Sequence, residues 1–151
     1  DNIPNKGSKR MTSDVFALAT SVFFQSGVQH FALAPNNLHD APDWAIKFME
    51  EVPTVWDEIQ FLDGYPGRYV IMARRKGENW YIAGINAENK TLKTKLKLDM
   101  FSSGAIVNFY TDDDQLNGKV NTLKINKNKE IEIKIPRNGG VVITNYKNLN
   151  K

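Results

Sequence analysis

The spacing of apolar residues divides the chain near residue 53. Val15, Leu18, Ala19, Val22 and Phe23 fall at i, i+3, i+4, i+7 and i+8, which predicts one buried helical face over 12–25, with Thr12 or Ser13 as its cap. Gly27 ends that helix, and the nearly continuous apolar run from Val28 to Pro35 reads as a buried parallel strand at 29–33. A polar loop then leads to Pro42, a residue suited to a first helical turn, with Asp40 as a candidate cap. Trp44, Phe48 and Met49 predict a second helix over 42–51. It ends at Val52-Pro53, because proline disfavours helical geometry in the residue before it. Helix, strand, loop, helix is the order of an α/β unit.

After Pro53 the period becomes two. Ile131, Ile133 and Ile135 alternate with Glu130, Glu132 and Lys134, and Leu92, Thr94, Leu96 and Leu98 alternate with Lys93, Lys95 and Lys97. Gly, Asn and Asp clusters punctuate such runs, and the pattern predicts strands at 54–62, 67–75, 79–86, 91–98, 105–111, 119–126, 129–135 and 140–146. Lys76-Gly77-Glu78-Asn79 reads as a hairpin turn and Gly64-Tyr65-Pro66-Gly67 as a tight turn. The expected fold is mainly β: an antiparallel β-sandwich of about eight strands preceded by a short helix-strand-helix segment. The expected division is 1–53 and 54–151.

Composition narrows the function classes. With 41% apolar and 25% charged residues the chain is globular in kind. No apolar run approaches the roughly 18 residues of a membrane span, and no signal segment is visible, so any targeting sequence is expected upstream or removed. The absence of Cys excludes a disulfide framework, a thiolate nucleophile and cysteine metal ligation. A net charge of +3 is too small to imply a polyanion, and no nucleic-acid partner is expected.

Candidate chemistry is sparse. Asp57 and Glu58, adjacent on an expected strand, should point to opposite faces, while Glu130 and Glu132 read as solvated outer positions, so neither pair suits two carboxylates facing across a cleft. The run Asp112-Asp113-Asp114-Gln115-Leu116-Asn117-Gly118 fails the helix-loop-helix calcium template and reads as an acidic turn. His30 and His39 have no third ligand nearby. The lysines of 93–97 and 124–129 read as protection against strand pairing rather than as a basic stripe. Trp56, Phe61, Tyr65, Trp80 and Tyr81 are either core residues or an aromatic platform for a sugar.

One resemblance covers most of the chain. Val52-Pro53-Thr54, Trp56-Asp57-Glu58, Leu62-Asp63-Gly64, Tyr69-Val70, Ala73-Arg74-Arg75-Lys76-Gly77 and Trp80-Tyr81, in that order, resemble the junction between catalytic barrel and C-terminal β-domain in glycoside hydrolase family 97, a family of α-glucosidases and α-galactosidases. Upstream, the helix-strand-helix segment is similar to the end of that family's (β/α)8 barrel; downstream, 135–142 is similar to its closing Gly-rich strand. The resemblance implies a non-catalytic C-terminal part that buttresses the barrel of an enzyme acting on α-glucosides or α-galactosides. It further implies a periplasmic or secreted parent with an oligo- or polysaccharide substrate. Its partner would be the rest of the barrel, with self-association possible for the truncated piece. The parent's bound calcium and catalytic carboxylates would lie outside this chain, so no cofactor, metal ligand or catalytic residue is expected within it. Barrel active sites lie at the C-terminal ends of strands, so Asn36 and Asn37, after the expected strand, are the candidate carbohydrate-facing residues. The alternative is a carbohydrate-binding β-sandwich module, which exposed, coplanar aromatics would favour.

Overall fold

A computed structural model describes residues 12–23 and 41–147. Two helices, α1 (Asp14–Phe23) and α2 (Asp43–Glu51), precede eight strands: β1 (Glu58–Tyr65), β2 (Tyr69–Lys76), β3 (Asn79–Asn86), β4 (Leu92–Lys97), β5 (Ile106–Asp112), β6 (Gly118–Lys124), β7 (Glu130–Ile135) and β8 (Gly140–Thr144). All eight expected strands form. The largest displacement is at β1, where Thr54 to Asp57 form a bent lead-in rather than ladder residues. The strand expected at 29–33 and the Asp40 cap lie outside the described residues.

The strands make a sandwich of unequal sheets, one of six strands in the order β1-β2-β3-β8-β5-β6 and one of β4 with β7, with every pairing antiparallel. Alternation along the central strands gives the large sheet two apolar faces. Ile71, Ala73, Ile82, Val107, Val141 and Ile143 face the small sheet, where they meet Leu92, Leu96, Ile133 and Ile135. Tyr81, Ala83, Tyr110 and Val142 face the other way and meet Val15, Leu18, Ala19 and Val22 of α1 and Ala45, Phe48 and Met49 of α2. Phe23 and Trp44 pack at the margin of the same cluster. The helical stripe predicted from spacing is therefore the surface that docks on the sheet.

Local chemistry sets the element ends. Ser13 Oγ accepts the Phe16 N–H at 2.9 Å, so Ser13 caps α1. Pro42 stands at the N-cap of α2 with an extended backbone and no side-chain capping bond, and α2 ends at Val52, before Pro53. Gly77 has φ of +60° as the first of two turn residues between β2 and β3, the φ pattern of a type II′ hairpin. Pro66-Gly67, with Gly67 at φ +76° and the Arg68 N–H bonded to the Tyr65 carbonyl at 3.0 Å, turns β1 into β2. Gly140 has a packing role. A Cβ there would lie 2.7 Å from the Val15 carbonyl oxygen and 2.8 Å from Phe16 Cα, so its missing side chain lets α1 lie directly on β8.

Candidate functional site

Two of the candidate carboxylates are engaged in structure. Asp57 sits just before β1, where it accepts the Gly77 N–H at 2.8 Å, and Glu58 accepts Arg75 Nε at 3.1 Å. Arg75 Nη1 also lies 3.9 Å from Asp57, so both carboxylates converge on one guanidinium instead of facing opposite ways. The strand offset accounts for the difference. The Gly77 hydrogen bond, followed by the nearby Lys76 and Arg75 charges, holds the Asp57 carboxyl below the usual range. Glu130 and Glu132 are exposed, directly opposite Lys97 and Lys95 in the ladder, whereas Lys93 is opposite Lys134.

The acidic turn contains one buried carboxylate. Asp113 Oδ1 accepts the N–H groups of Gln115 and Asn117, both at 2.9 Å, as an exposed turn aspartate does. Asp112 is buried. Its Oδ2 accepts the Ser13 hydroxyl at 2.5 Å and the Gly140 N–H at 2.8 Å, while Oδ1 has no partner among the described residues. Burial pushes its pKa up to about 6 against the lowering pull of those two bonds. Asp112 thus clamps β5, α1 and β8 at one point. Asp112 and Asp113 are thus committed to the fold. Among the described residues no three His, Cys, Asp or Glu side chains gather as a metal would require.

The aromatic residues divide by burial. Tyr81 and Tyr110 are buried, and desolvation raises the pKa of both phenols. Trp56 packs edge-on to Tyr81 at 5.2 Å, with the Arg74 guanidinium 5.7 Å from its ring. Phe61 and Tyr65 are exposed at 66% and 55%, with Ile59 at 55% and Val55 at 66%. Tyr65 meets Tyr69 at an interplanar angle of 69°, so this surface offers no flat pair of rings to a sugar. Instead, Phe61, Tyr65, Pro66, Tyr69, Val70 and Ile85 line an open groove of about 480 Å³, with Arg68 over the Tyr65 ring at its end. Phe61 is opposite Met72 and Ile59 opposite Arg74, and β2 pairs these with Ala83 and Tyr81. Ile59 and Phe61 therefore continue the helix-covered face of the large sheet, whereas Tyr69 packs against the cluster that faces the small sheet. Asn36 and Asn37 lie outside the described residues.

Comparison with known proteins decides the family. Residues 55–145 match the sequence model described as glycosyl-hydrolase 97 C-terminal, oligomerisation. The chain belongs to this family. Residues 55–145 are the C-terminal domain of that family. The chain is 44% identical over 68 residues to the retaining alpha-galactosidase of Bacteroides thetaiotaomicron, which covers 45% of this chain and 10% of that protein. It is 39% identical over 72 residues to a probable retaining alpha-galactosidase of Streptomyces bingchenggensis, covering 48% and 11%. Among solved structures, a beta-arabinopyranosidase superposes with TM-score 0.82 at 47% identity, over 95% of this chain and 23% of that one. A family 97 enzyme from Pseudoalteromonas sp. strain K8 shares the fold, with TM-score 0.61 and 22% identity over 73% of this chain and 19% of that one. The chain thus spans about a tenth of the curated relatives and under a quarter of the matched structures.

Proposed function

We propose that in an intact enzyme this domain buttresses a (β/α)8 barrel that cleaves pyranosides of galacto configuration. The observation that carries the buttressing role is the docking of α1 and α2, which resemble the last barrel helices, on the large sheet through Val15, Leu18, Val22 and Phe48. The substrate class rests on the relatives. A β-L-arabinopyranoside has the ring stereochemistry of an α-D-galactopyranoside without its hydroxymethyl group, so one axial 4-hydroxyl and one axial leaving group describe both names. The α-glucosidase branch of the family is the less supported reading. Catalytic carboxylates and any calcium belong to the barrel in this proposal, and a periplasmic or secreted location rests on the family resemblance. The carbohydrate-binding alternative is disfavoured by the tilted Tyr65 and Tyr69 rings and by burial of Tyr81.

The test compares the intact enzyme with its Phe48→Ala variant. Removing a buried Phe costs about 3–5 kcal/mol, so the melting temperature should fall. Well below that temperature, kcat/KM should be unchanged. It should also be higher for p-nitrophenyl α-D-galactopyranoside and β-L-arabinopyranoside than for the α-D-glucopyranoside. A kcat/KM loss without loss of stability would overturn the buttressing role, and a preference for the glucoside would overturn the substrate class.

A further inference from the structure

The family's association role, on which this inference rests, does not say which surface makes the contact. Four strands end the two sheets: β1 and β6 in the large one, β4 and β7 in the small one. Three of them carry lysines, Lys119 and Lys124 on β6, Lys93, Lys95 and Lys97 on β4, and Lys134 on β7. Lysine on an edge discourages pairing with another chain. From Thr54 to Gly67 there is no Lys or Arg, and this stretch holds four of the five exposed large hydrophobic side chains among the described residues. Patches of this kind mark contact surfaces. The β1 ladder is broken by a bulge at Leu62, which interrupts open-ended strand addition and leaves side-chain docking as the means of contact.

We propose that a second copy of this chain docks on the β1 patch about a two-fold axis, each copy's Phe61 entering the groove beside the other's. The patch is suited to self-recognition because it carries a protruding ring and an apolar hollow side by side, the self-complementarity a two-fold contact needs.

The experiment is sedimentation velocity on the 151-residue chain and on the intact enzyme, each with and without Ile59→Lys and Phe61→Lys together. Both positions are exposed, so the fold should tolerate the change. The expected result is a dimer for the unchanged proteins and at least a tenfold weaker dimer for the variants, with the melting temperature of the isolated chain retained. If the double variant melts earlier, Ile59→Lys alone decides in its place. A variant that stays as dimeric as its parent overturns the assigned surface while leaving the association role intact. A chain and an intact enzyme that are both monomeric remove the association role itself. An intact enzyme of unchanged mass whose variant melts several degrees lower, while the isolated chain is unaffected, overturns the proposal in favour of the barrel as occupant.

Discussion

At the residue scale, Asp112 is the most informative side chain. Its carboxyl joins Ser13 at the start of α1, 99 positions away in sequence, to Gly140 at the start of β8. Below pH 3.8 the group is protonated in folded and unfolded chains alike; between 3.8 and about 6 the folded chain keeps a proton that the unfolded chain has lost. Stability therefore falls as pH rises through this window, by about 3 kcal/mol at 1.36 kcal/mol per unit. Asp57 and Asp113, with lowered values, act with the opposite sign and at lower pH, since their contributions are lost only as pH falls below the ordinary aspartate range. Asp112→Asn keeps an acceptor for Ser13 and Gly140 and cannot ionise. Denaturant midpoints from pH 4 to 7 should slope downward for the parent and be flatter for the variant, which should be the more stable at pH 7. Parallel slopes would contradict this. Nothing in the sequence singled Asp112 out, because it adjoins Asp113 and Asp114 in a turn, and its burial depends on a helix that docks from the other end of the chain.

At the scale of elements, most of the architecture was legible. Ile131, Ile133 and Ile135 alternate with charge because one face meets the large sheet and the other meets water, and Gly77 and Pro66-Gly67 marked their turns. The helical stripe Val15, Leu18 and Val22 predicted a buried face, and the sheet it meets is likewise apolar. The start of β1 was misread because Val55 and Trp56 have strand-forming side chains, yet they precede the ladder. The role of Gly140 was also hidden, since closeness between α1 and β8 is a tertiary fact. Gly140→Ala should destabilise by about 1–3 kcal/mol by forcing α1 away from the strand. Hydrogen exchange should then quicken first in α1; unchanged protection there would show that the helix can shift without loss.

For the whole molecule, the large sheet is a two-sided wall. Its inner face is closed by β4 and β7, and its outer face is closed by α1 and α2 over β3, β8 and β5 while remaining apolar and open at β1 and β2. The sequence showed the apolar residues of that open part but not their exposure, since Ile59 and Phe61 alternate as core residues would. Asp57 and Glu58 hold a turn and an arginine, and Asp112 clamps α1 and β8 to β5. The direct measurement is hydrolysis of p-nitrophenyl α-D-galactopyranoside by the purified 151-residue chain beside the longer enzyme from which such a domain would come. The account predicts turnover by the longer enzyme and none above buffer by this chain. Turnover by the chain, abolished when one of its own carboxylates is replaced, would contradict it.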